Sequence, residues 1–165
     1  MNVSKSLGFL LLQELIWWLI TALLTVAILY PLMSSVNYLH IFDNALIIVT
    51  AITAFRFTIF FNKLPFFKSN IVKFIVFTLD ISLWVYILNR YETFLGMHDI
   101  YMLSELGTPI IPIDGVQERE LFRYFYLEIS IASLTALILI IVLNLRFIQD
   151  YWKVARVRFG DMMQN

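Results

Sequence analysis

A chain of 165 residues with no cysteine excludes disulfide exchange, thiolate nucleophiles, Fe–S clusters and cysteine-ligated zinc. Its composition, 61% hydrophobic and 16% aromatic with only 15% charged residues, lies outside the soluble range and points to a membrane. The net charge of +0 conceals an uneven distribution, and the basic residues form no separate basic domain, which argues against nucleic acid as a partner.

Four apolar runs, residues 7–33, 41–61, 71–95 and 122–145, each carry few ionised groups. Each is long enough for a hydrocarbon core that needs roughly 20 helical residues. The expectation is an all-α polytopic membrane protein with four transmembrane helices. Spans and connections use nearly all of residues 1–165, and a separate soluble domain needs at least about 50, so one membrane domain is expected. The first run follows Lys5 but exceeds the roughly 7–15 apolar residues of a signal h-region and precedes no clean small-x-small site. It reads as a retained span, with Pro31, Ser34 and Ser35 marking its exit.

The connections differ sharply in charge. Residues 34–40 contain no Lys or Arg; the turn between the second and third runs carries Lys63, Lys68 and Lys73. Residues 96–118 again lack Lys and Arg but hold Asp99, Glu105, Asp114 and Glu118, whereas the tail at 146–165 carries Arg146, Lys153, Arg156 and Arg158. Positive charge beside span ends marks the cytoplasmic side, so both termini are expected in the cytoplasm, with a bacterial plasma membrane as the setting. The short turn, broken by Pro65, predicts that spans two and three are antiparallel neighbours.

Within the outer loop at 96–118, Met97, Ile100, Leu103 and Leu106 recur at helical spacing, which reads as an amphipathic surface segment. Gly107 can end that helix, and Pro109 and Pro112 favour extended chain after it. Asp114 with Gln117 three residues on predicts a reciprocal N-cap for the fourth helix. From Val116 to Gly160 no breaker appears, so that helix should outrun the membrane. Its emergent part carries Phe147, Ile148, Tyr151, Trp152, Ala155 and Phe159 as one stripe flanked by Arg146, Lys153 and Arg156. Such a stripe serves docking, onto anionic lipid or onto protein. The helix has no Pro or Gly between Leu143 and Phe159 at which to bend onto the bilayer, which favours protein.

Ionisable residues inside the runs are the remaining candidates. Asp80 in the third span and Arg56 in the second predict a buried polar pair, either structural or a proton or ion relay. Glu14 lies in the same half beside Trp17 and Trp18, which could form an interfacial belt and keep it near water; with a deeper helix start it would join that pair in a cluster. Glu128 stands apart, with Arg90 or Arg123 as its prospective counter-charge. His40 and His98 fall in loops without carboxylate–histidine spacing, so no metal and no cofactor is expected. No Walker loop, H-E-x-x-H or G-x-S-x-G is present. The spans contain almost no glycine, leaving helix packing to small residues such as Ser130, Ala132, Ser133, Thr135 and Ala136.

The leading functional expectation is a non-catalytic accessory subunit of a larger membrane complex, whose partners are the lipid bilayer and other membrane subunits of a hetero- or homo-oligomer. An oligomeric transporter or channel component using Asp80 and Arg56 is the alternative. A membrane enzyme acting at the outer face through His98, Asp99 and Glu105 is a third reading.

Overall fold

The computed structural model describes residues 7–61, 64, 67, 69–97, 107–110 and 112–162, with side chains at all of these except 7, 97 and 157–162. The described chain is helical apart from one short strand pair. Helices α1 (Leu7–Ser35), α2 (Ile41–Phe60), α3 (Asn70–Met97) and α4 (Gly115–Met162) fall on the four apolar runs, and each is long and apolar enough to cross a membrane. In hydrocarbon every backbone N–H and C=O must be satisfied internally, and a helix does this within one segment. Several side-chain hydroxyls are satisfied in the same local way: Thr21, Thr25, Thr50, Thr78 and Thr93 each donate to the carbonyl four residues earlier.

Pro31 does not end α1. It sits inside the helix, which continues to Ser35. Because proline lacks an N–H, the carbonyl of Ala27 loses its usual helical partner there.

Strands β1 (Val36–Tyr38) and β2 (Gly107–Pro109) pair antiparallel, with Asn37 opposite Thr108 and Tyr38 opposite Gly107. The Ile110 N–H extends the pairing by donating to the Ser35 carbonyl at 3.0 Å. Gly107 has a φ of +154°, and a Cβ there would lie 2.0 Å from the Asn37 carbonyl oxygen. Only glycine allows that approach. Its role in the structure is therefore this close pairing. The amphipathic segment expected just before it, including His98, Asp99, Leu103 and Glu105, lies outside the described residues, as do Lys63, Pro65 and Lys68 of the short turn.

The N-cap of α4 forms as its sequence requires. The Asp114 Oδ1 accepts from the N–H groups of Val116 at 2.9 Å and Gln117 at 2.8 Å, and the Gln117 Oε1 accepts from the Asp114 N–H at 3.4 Å. From that cap α4 runs unbroken for 48 residues. At 1.5 Å per residue this is about 72 Å, more than twice a hydrocarbon core of about 30 Å.

Side-chain links fix the helix directions. Asn44 meets Glu128 near the start of α2 and α4, and Arg146 donates to the Thr58 carbonyl near the end of α2, so these two helices run parallel. Lys73 near the start of α3 meets Asp150 late in α4, so α3 runs antiparallel to both. The expected neighbour relation of spans two and three is altered. α4 makes the most extensive contacts with both α2 and α3, which meet each other through Asp43, Tyr86 and Arg90. α1 packs mainly on α2.

Two apolar cores result. The larger, at the strand-pair end, gathers Leu32, Val36, Ile47, Ile87, Phe94, Phe125 and Ile140. The smaller, at the Lys73 end, joins Phe61, Leu64 and Phe67 to Leu143 and Phe147. Buried polar residues accompany these cores, and the candidate sites are found among them.

Candidate functional site

Arg56 is 6% exposed and holds Glu14 of α1 through both terminal nitrogens; the Nη1–Oε2 distance is 2.9 Å. This is the fork geometry that suits a guanidinium and a carboxylate. Trp17, one turn beyond Glu14, lies under the guanidinium with 5.1 Å from the Arg56 Cζ to the ring centre, and Phe57 lies 5.7 Å away. Phe60 also packs on Trp17, at 5.9 Å between ring centres. An arginine within an apolar helix is thus neutralised and stacked by Glu14 and Trp17 of α1, with Phe57 of its own helix beside it.

The pair expected between Arg56 and Asp80 does not form. The two residues sit in the same half of the bundle, but α4 separates much of α2 from α3, and the arginine turns toward α1 instead. Asp80 is 9% exposed, and its Oδ2 meets no hydrogen-bond partner among the described residues. The register set by Lys73 and Asp150 places Asp80 level with Leu143 and Asn144 of the antiparallel α4. Trp84, one turn further along α3, and Asn144 line a groove of about 190 Å³ together with Ile81, Ile140, Ile141 and Ile148. The Trp84 Nε1 and the Asn144 Oδ1 are buried and, like Asp80, have no partner among the described residues.

Glu128 is not answered by Arg90 or Arg123. Its Oε2 accepts from the Asn44 Nδ2 at 2.8 Å, with Asn44 fully buried. Arg90 instead approaches Asp43 at 3.3 Å, where the Tyr86 hydroxyl donates at 2.5 Å and the His40 Nδ1 lies 3.7 Å away. Tyr38 from β1 is buried beside this group, and burial pushes its phenol well above the ordinary range despite the opposing Asn44 amide. Together Asp43, Asn44, Tyr86 and Glu128 tie α2, α3 and α4 at the strand-pair end. Sequence reasoning missed Asp43 and Asn44 because they stand at the start of α2, where polar residues are ordinary.

The stripe in the last part of α4 divides into two faces. Phe147 is fully buried in the smaller core, 5.3 Å from both Phe61 and Phe67 between ring centres. Tyr151 is partly buried, and its hydroxyl donates to the Asn70 carbonyl at 2.8 Å. These two residues are internal packing, which corrects their assignment to a docking surface. Ile148 and Trp152 point outward, at 53% and 66% exposure; the side chain of Phe159 lies outside the described residues.

Among the described residues no group of three or more His, Asp or Glu side chains converges as a metal site. No protein-family model matches this chain, and no curated protein and no solved structure is significantly similar to it.

Proposed function

We propose that this protein is a non-catalytic subunit of a larger membrane assembly, oriented with both termini in the cytoplasm of a bacterial cell. The orientation follows the concentration of lysine and arginine in the connections at the Lys73 end. The observation that carries the reading is the form of α4. Its course near the Lys73 end is clamped by buried Phe147, by the Lys73–Asp150 ion pair and by the Tyr151–Asn70 hydrogen bond. Beyond that clamp the helix continues to Met162 and presents Trp152 with Lys153 and Arg156.

A clamped, unbroken helix cannot lie down on the bilayer without a kink, and kinks need a proline, a glycine or an inserted group. It suits a groove in a partner protein. A relay built on an Arg56–Asp80 pair has no such support, because Arg56 answers Glu14.

Truncation after Tyr151 keeps the clamp and removes the projecting arm. Purification through a tag on the chain, in mild detergent, should then lose a partner that the full-length chain retains at fixed stoichiometry, while all four helices stay inserted. Co-purification of the same partners with the truncated chain, or recovery of the full-length chain alone, overturns this reading.

A further inference from the structure

Asp80 poses a question that the bundle does not answer from its own residues. A carboxylate in the apolar interior costs several kcal/mol unless it is neutralised or hydrogen-bonded. Glu14 has Arg56, Asp43 has Arg90 and Tyr86, and Glu128 has Asn44 on one oxygen, its Oε1 being unpaired among the described residues. Asp80 has no such partner among the described residues. Its chain neighbour Ile81 and Trp84, one turn further along, line the α3–α4 groove, where the Trp84 N–H and the Asn144 side-chain oxygen are also unsatisfied among the described residues.

We propose that this groove seats a transmembrane helix of a different protein chain, which presents a lysine or arginine to Asp80. Charge complementarity selects the occupant. A groove of about 190 Å³ exceeds the roughly 150 Å³ apolar cavity that takes up benzene, so it has room for the stem of one long side chain. Apolar walls of Ile81, Ile140, Ile141 and Ile148 suit such a stem, and the carboxylate suits its charged head. The Asn144 oxygen supplies a further acceptor for an ammonium or guanidinium.

A second copy of this chain fits poorly, because Arg56, Lys73 and Arg90 already answer carboxylates of their own chain and Arg146 donates to the Thr58 carbonyl. A lipid amine also fits poorly, since Asp80 lies ten residues into α3, about 15 Å from its start. The proposal rests on the assembly reading in that both require another protein, but it concerns a different surface from the projecting arm.

The test uses the full-length chain in its native membrane, with a photoreactive phenylalanine analogue placed at Ile81 or Leu145 on the groove, or at Leu19 on α1 as a control. Groove positions should yield an adduct with another protein, and the cross-linked peptide should contain an apolar segment bearing a lysine or arginine. That adduct should be lost with Asp80→Leu and with Asp80→Asn and retained with Asp80→Glu. Replacing the partner's basic residue by leucine should also abolish it, and exchanging the two charges should restore it. An adduct at twice 19.4 kDa, adducts with lipid alone, or a protein adduct indifferent to Asp80→Asn would overturn the proposal. The two readings fail separately. Recovery of the full-length chain alone defeats the assembly, whereas partners that co-purify without any Asp80-dependent groove adduct defeat only the groove.

Discussion

Arg56 and Asp80 are opposite charges in the same half of one bundle, yet the fold treats them differently. Around Arg56 the chain supplies a bidentate carboxylate and an aromatic plate. For Asp80 it supplies no partner to Oδ2, and the groove lined by its chain neighbour Ile81 and by Trp84 one turn on holds two further unsatisfied polar atoms. At the first site the charge is answered within one chain, although the Arg56 Nε stays unpaired among the described residues, so its charges serve to hold α1 against α2. The second is incomplete, and a group that costs stability without return inside the chain points to something outside it. The useful distinction is whether a buried charge is answered locally, more than whether it is buried.

The largest effect should follow from breaking the first site. Glu14→Ala leaves the guanidinium buried without its counter-charge, a class of change that costs about 3–5 kcal/mol. Unfolding of the purified chain in mixed micelles measures it. Replacing Glu14 and Arg56 together by leucine and methionine should recover most of that loss, because no uncompensated charge remains. A double variant no better than Glu14→Ala would show that the pair is not the cause.

The opposite sign is expected at Asp80. In the isolated chain Asp80→Leu removes an unsatisfied buried carboxylate, and the same unfolding assay should show a gain of about 1–3 kcal/mol. A clear loss would mean that Asp80 is answered within its own chain, and the contrast between the two sites would collapse. The smallest effect sharpens the picture at Arg56. Trp17→Leu retains apolar cover but removes the ring face, which should cost about 0.5–2 kcal/mol. That loss should disappear when Arg56 is already methionine.

The four helices were legible because hydrocarbon thickness sets a minimum apolar length, and the Asp114–Gln117 cap because its spacing is local. Rotation of each helix about its own axis was not legible. Helices that are apolar on nearly every side carry no polar face to fix which residues turn inward. For that reason Arg56 could be assigned to Asp80 when Glu14 lay within equal reach. The i, i+4 row of Phe147 and Tyr151 could likewise be taken for an outer surface when it faces the turn at Phe61 and Phe67. The strand pair escaped for a different reason: three residues are too few for alternation to show. Its one signal was Gly107, which also fits a helix end.

That strand pair has a consequence for the order in which the protein is made. β1 and β2 are on the order of 70 residues apart, and the whole of α2 and α3 lies between them. At roughly 5–20 residues per second, β2 leaves the ribosome about 4–14 seconds after β1. Only then can Gly107 slide under the Asn37 carbonyl. The latch between the two connections therefore closes after the third helix has been synthesised, and its closure timestamps the arrival of the chain's second half.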